Sequence, residues 1–128
     1  MEETMLVIDP FKVSEIVNKT NFETVAAKLD MEVGDKMNVS SLSIDVIPVS
    51  LQGLQELRFT TAAPGTKVPS HSHTGPLVRV VTEGELTLED QTYGRGDWMV
   101  IPANHAYSID SPSGYAAMWV CIACWRNA

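Results

Sequence analysis

The sequence predicts an all-β fold, an antiparallel barrel or sandwich with a short helical segment ahead of it. Three observations carry that expectation: a period of two in hydrophobicity, strand-sized apolar runs, and turn residues between them. Leu42, Ile44 and Val46 alternate with Ser41, Ser43 and Asp45, the pattern of a strand with one buried face. Pro48 stops this run; Leu57, Phe59 and Thr61 resume the alternation, and Pro64-Gly65 turns the chain. Further strand-like runs span 77–82, 85–89, 98–101, 107–109 and 116–123. Glu83-Gly84, Glu89-Asp90-Gln91, the glycine-rich stretch 94–97 and the Ser-Pro-Ser-Gly stretch 111–114 separate them. Many short strands at this spacing specify a closed or two-layered antiparallel architecture.

The N-terminal part has a different period. Asp9-Pro10 is an N-cap followed by a first helical position, and Val13, Ile16 and Val17 form one apolar face. Thr20 and Glu23 have the spacing of a capping box, with Phe22, Val25, Ala26 and Leu29 at helical spacing behind them. Two short helices, or one broken near residues 19–21, are expected, and Gly34-Asp35 closes the region. The chain thus divides into a helical extension over 1–36 and a barrel over 37–128, within one domain.

A chain of 128 residues buries a core without needing disulfides. Hydrophobic residues make up 45% and charged residues 20%, which excludes a disordered chain. Sixteen acidic against nine basic residues give a net charge of −7, which repels phosphate backbones and argues against nucleic acid as a partner. Apolar runs such as 99–101 are too short to span a membrane. The start, Met1-Glu2-Glu3-Thr4, is acidic where a secretory signal is basic. Two cysteines, Cys121 and Cys124, do not make a disulfide framework, so a cytoplasmic setting is expected.

All three histidines lie between positions 71 and 105. His71 and His73 are two apart, so on a strand they share a face with Cα atoms about 6.6 Å apart. Imidazoles so related can converge on one divalent ion, although an H-x-H alone equally describes two exposed polar residues.

The flanking residues add specificity. Gly65, five residues, His71-Ser72-His73 and then Gly84 resemble the first cupin motif, G-x5-H-x-H-x3-E-x6-G. Gly96, five residues and Pro102 resemble the opening of the second, G-x5-P-x-G-x2-H-x3-N. The resemblance covers about residues 42–124 and implies a cupin barrel of jelly-roll type, an RmlC-like fold. That fold hosts enzymes, binding modules and storage proteins alike. Two departures stand out: the motif glutamate falls on Leu77 and the motif histidine on Tyr107. Asn104 replaces a motif glycine, a tolerable change because Asn accepts a left-handed backbone. His105, two residues before Tyr107, is then either a displaced third ligand or a loop histidine at the barrel mouth.

Counting by two from the histidines puts Arg79 on the same face. A guanidinium there is an anion clamp for a small organic acid or one half of a structural salt bridge, unless a bulge slips the register and faces Arg79 to solvent. Cys121-Ile122-Ala123-Cys124 matches C-x-x-C, but in an apolar strand residues three apart face opposite ways, so two buried structural cysteines are expected. Trp98, Trp119 and Trp125 read as core or interface, and Glu83, Glu85, Glu89 and Asp90 as a solvated edge.

Three functions follow. In the first, His71, His73 and His105 hold Fe, Mn, Ni or Zn, and Tyr107 and Arg79 act on a small organic acid or phenolic compound in dioxygenase, isomerase or lyase chemistry. The second is a non-catalytic module that senses a small ligand or metal, and the third a degenerate barrel kept for assembly. A homodimer is expected, because cupins often pair and the early helices have apolar faces to cover.

Overall fold

The computed structural model describes residues 2–29, 32–37 and 47–124. The expected strand over Leu42–Val46 and Trp125 lie outside them. Ten strands and one short α-helix follow in chain order: β1 (Glu2–Val7), β2 (Val17–Asn18), α1 (Phe22–Ala26), β3 (Glu32–Met37), β4 (Leu54–Ala62), β5 (Thr66–His71), β6 (Leu77–Leu88), β7 (Gln91–Gly94), β8 (Trp98–Ile101), β9 (Tyr107–Ser111) and β10 (Tyr115–Ile122). All the pairings between these strands are antiparallel.

Strand β6 organises the molecule because it is long enough to serve two sheets. Its first half lies between β8 and β10, in the order β2-β8-β6-β10-β4. Its second half pairs with β7 and touches β9, which pairs with β5. The register of β6 on β10 shifts between Ala116 and Ala117, a bulge that lets the strand bend from one sheet into the other. Alternation then sorts the side chains. Leu77, Val81, Leu86 and Leu88 point between the sheets and pack with Met99, Ile101, Ile109, Tyr115 and Ala117. Val78, with Val100, Val120 and Ile122, faces the other side.

That outer side is where the N-terminal segment docks. Ile8, Val13, Val17 and Val25 bury themselves against Val78, Trp98, Val100 and Ile122. Phe22 meets Trp98 edge-on, with ring centroids 6.1 Å apart. The apolar faces that suggested a partner for this segment are therefore covered by the barrel itself. Its helical content is small: a 3-10 turn over Pro10–Lys12 and the five residues of α1. Asp9 caps the 3-10 turn as expected, its carboxylate accepting from the Phe11 N–H at 3.0 Å. The Thr20–Glu23 capping box does not form. Asn21 is the N-cap, and Asn18 Oδ1 accepts from the Thr20 and Asn21 amides instead. Val17-Asn18 joins the barrel sheet beside β8, and Glu32–Met37 pairs with Glu2–Val7, so strands extend well into the first 37 residues.

Strand β4 reverses the expected sense of its alternation. Leu57 and Phe59, the apolar set, are 61% and 62% exposed. The alternate residues Arg58, Thr60 and Ala62 belong to the opposite face of the strand, and Ala62 packs against the inner core. There Trp119 Nε1 donates to Thr60 Oγ1 at 2.8 Å, and the Arg58 guanidinium lies 4.9 Å from the Trp119 ring centre.

A buried polar cluster at the mouth of the barrel

Five strands bring the site together. His71 ends β5 opposite Tyr107, which begins β9. Arg79 on β6 lies opposite Trp119 on β10, which in turn lies opposite Arg58 on β4. The loop 72–76 carries His73 over this group, and the Asn104 amide anchors it by donating to the His73 carbonyl at 2.7 Å. Asn104 has φ 61°, the left-handed conformation expected of the residue standing where the motif has glycine. His71 and His73 stack edge-on with ring centroids 5.1 Å apart, and the His71 ring lies 4.6 Å from Tyr107. Trp119 also faces this cluster, 5.8 Å from the His73 ring, and is not simply core. Trp98, by contrast, is core.

The hydrogen bonds fix who donates. Arg79, 5% exposed, reaches Tyr107 Oη through Nη2 at 3.4 Å, and its Nη1 meets only the Met99 sulfur at 3.8 Å. A guanidinium can only donate, so the tyrosine oxygen accepts from it and its own O–H is free to donate onward. That O–H lies 3.1 Å from His73 Nε2. The tyrosine oxygen has lone pairs to accept from His73 as well, so either atom can donate in this bond, and in both cases His73 Nδ1 is buried with no partner among protein atoms. Burial first, then the charges of His71, Arg79 and Arg58, lower the His73 pKa from 6.5, which keeps the ring neutral at pH 7. His71 Nδ1 bonds the Pro69 carbonyl at 2.9 Å, which places its proton on Nδ1 and leaves Nε2 as an acceptor.

Arg79 has no carboxylate partner among the described residues. Arg58 does have one, Glu56 on its own strand. The salt-bridge alternative for Arg79 is therefore not met among the described residues, and Arg58 is a second cation of the site that sequence reasoning missed. Its signal lay in the period of β4, which places Arg58 opposite the apolar Leu57 and Phe59.

His105 stands apart. Its Nε2 pairs with Glu89 at 2.6 Å, on the turn between β6 and β7. The extended-chain argument that aligned it with Tyr107 does not apply, because residues 102–105 form a turn closed from the His105 amide to the Pro102 carbonyl. Leu77 is fully buried in the inner core. Among the described residues no group of three or more His, Cys, Asp or Glu side chains could hold a metal ion. Two imidazoles fall short of the three or four donors of an enzymatic divalent site, so the residues present do not fit the Fe, Mn, Ni or Zn centre expected from His71, His73 and His105.

The cysteines also differ from expectation. Strand β10 ends at Ile122, and Ala123 adopts φ 56°, which folds Cys124 back so that the structure joins it to Cys121 in a disulfide. The opposite-face argument held only for a continuous strand.

No helix among the described residues is long and apolar enough to cross a membrane. No curated protein matches the chain in sequence. Among solved structures, an RmlC-like cupin from Shewanella frigidimarina is similar at a TM-score of 0.50 and 19% identity, over 56% of this chain and 70% of that one. The complex of Rhodobacter sphaeroides SigE with the anti-sigma ChrR aligns at a TM-score of 0.48 and 19% identity, over 51% of this chain and 37% of that one. A salicylate 1,2-dioxygenase from Pseudaminobacter salicylatoxidans aligns at 0.48 and 20%, over 62% of this chain and 25% of that one. The chain thus spans well under half the length of the latter two. The Cupin domain model matches residues 58–123, which include both histidines of the first motif, Arg79 and Tyr107, and so the chain belongs to the cupin family.

Proposed function

We propose that this cupin is a binding module for a small organic acid, held inside the barrel by Arg79 and His73. The observation that carries the reading is a guanidinium 5% exposed with no acidic partner among the described residues. An unpaired buried charge is costly, and a carboxylate supplies the missing partner in bidentate form. The second support is His73 Nδ1, a buried ring nitrogen that lacks a hydrogen-bond partner among protein atoms. A carboxylate received at the Nη1 side of Arg79, where the weak contact to the Met99 sulfur is all it now has, satisfies the guanidinium. A polar group on the ligand satisfies His73, and the rings of Tyr107 and Trp119, which lie beside Arg79, are placed to contact an apolar or aromatic body. His71 is half-buried beside His73 and Tyr107. Tyr107 and Arg79 are in this reading ligand-contacting residues, and no metal-dependent step is assigned. A cytoplasmic setting remains part of the proposal.

Benzoate and benzamide, equal in shape and different in charge, test this by calorimetry. Benzoate is expected to bind at least ~10-fold tighter, since a hydrogen bond to a charged group contributes about 1.5–3 kcal/mol. The pKa of His73 is lowered by burial, so its protonation comes below pH 6.5; where it occurs it adds a cation beside the carboxylate, and benzoate binding is expected to tighten as the pH falls until the acid itself protonates near pH ~4. Equal affinities for acid and amide would overturn the assignment.

The expected homodimer is proposed on new ground. Leu57, Phe59 and Met118 form an exposed apolar patch on β4 and β10, and β4 is the edge strand of its sheet among the described residues. A second copy is the occupant we assign, because two such edges pair antiparallel about a two-fold axis. Light scattering is expected to give a dimer that Phe59→Lys converts to monomer; a monomeric wild-type protein at micromolar concentration refutes it.

A further inference from the structure

We propose that Cys121 and Cys124 are a reversible dithiol–disulfide pair whose state is read by the loop carrying His73. The pair closes a ring with only two residues between the cysteines, so it removes little entropy from the unfolded chain and is a weak staple. It also requires Ala123 at φ 56°, a conformation that residues with a Cβ rarely adopt. Both features favour a bond that opens without loss of the fold.

The coupling runs through backbone contacts between the end of β10 and residues 75–77. Cys121 lies opposite Leu77 in the ladder, and its Sγ is 3.6 Å from the Gly75 carbonyl. A disulfide sulfur has no hydrogen to donate, whereas the Cys121 thiol does, so reduction adds an S–H···O bond to the loop. The Ile122 amide donates to the Pro76 carbonyl at 2.8 Å. Gly75 sits so close that a Cβ there would be 2.0 Å from the Ile122 carbonyl oxygen. His73 is two residues away, on the same short loop. A change in the backbone of 121–124 therefore moves the loop rather than being absorbed by side chains.

The chemistry is thiol–disulfide exchange with a low-molecular-weight disulfide. Both cysteines are buried in the closed form, with residue exposures of 5% and 7%, so exchange requires the turn at Ala123 to open and its amide to leave the Gly53 carbonyl. In the forming direction the Cys124 thiolate attacks one sulfur of the oxidant, and the first thiolate leaves. The Cys121 thiolate then attacks the mixed disulfide at Cys124 and the second thiolate leaves. Two protein thiols lose two protons and two electrons, and one small disulfide becomes two thiols.

The test needs no barrel ligand, so it is independent of the organic-acid reading. The full-length protein is equilibrated in glutathione buffers of graded ratio, quenched in acid and alkylated, and its mass is measured. In parallel, the His73 and His105 resonances are followed by NMR. The expected result is a gain of two alkylations within the reducing half of the series. The His73 signals should shift at the same midpoint, and those of His105, held on the Glu89 turn, should stay in place. Cys124→Ser is expected to hold the His73 signals at the reduced position in every buffer. Cysteines that stay bonded, or stay as thiols, across the whole series overturn reversibility. A pair that exchanges while His73 does not move overturns the coupling.

Discussion

Arg79→Met is expected to make the protein more stable and unable to bind a carboxylate. The two effects have one cause. In the absence of ligand the guanidinium is buried beside the Met99 sulfur and Tyr107, with two aromatic rings 5.7 and 6.0 Å away. Cation–π attraction of that kind contributes about 0.5–2 kcal/mol, whereas removing a guanidinium from water costs several kcal/mol even after relaxation. Desolvation wins, and methionine fills a similar volume among apolar neighbours without it. A gain of about 1–3 kcal/mol is expected, by analogy with the replacement of buried ionic groups by apolar ones. For a chain of this size that raises the melting temperature by roughly 3–9 °C. Benzoate, which should raise the wild-type melting temperature, should leave that of the variant unchanged. A variant that melts lower than wild type by several degrees would mean that Arg79 is a structural residue with a partner of its own, and the binding reading would lose its main support.

The second large effect is Gly75→Ala. An added Cβ would lie 2.0 Å from the Ile122 carbonyl oxygen and 3.1 Å from its carbon, both backbone atoms of a strand paired on two sides. Neither can rotate away, so the loop or β10 must move. The expected cost is about 3 kcal/mol or more, at the severe end of overpacking. Gly65→Ala is the matched control. Gly65 has φ 84° but nothing within 4 Å of its Cβ position, so it should cost only the left-handed strain of about 1–2 kcal/mol. Chemical denaturation of both variants decides it: equal losses would mean that the loop carrying His73 does not press on β10, and the mechanical link to the cysteines would go with it.

The barrel was legible in the sequence because its strands obey local rules. A period of two, glycine and proline turns, and two motifs with fixed spacing act within a few residues of each other, and the structure places strands at each such run from residue 54 to 122; the expected turn at Glu83-Gly84 is not one, because runs 77–82 and 85–89 form a single continuous strand, β6. Asn104 in a left-handed turn follows the same logic, since the conformation required there is a property of one residue. Arg79 is buried beside the polar cluster as expected, but the count by two that put it there crossed the loop 72–76, and the pairing of β5 with β9 and of β6 with β10 is what brings it close to His71 and Tyr107.

Only the tertiary structure decided the rest, wherever the chain stops being extended or a face could be covered in more than one way. Counting by two fails across a turn: His105 leaves the cluster for Glu89, and Cys124 returns to Cys121. The apolar stripe of residues 13–25 needed a cover, but its periodicity did not say whether a second subunit or the barrel's own outer sheet would provide it; packing chose the sheet. Leu57 and Phe59 alternate like core residues, yet their strand turns Arg58 and Thr60 toward Trp119. Whether Arg79 had a counter-ion depended on which strands lie across the barrel from it. Local sequence sets the conformation of each segment and the side to which a residue points. What it meets there is a non-local contact, and the charge balance of the pocket consists of such contacts.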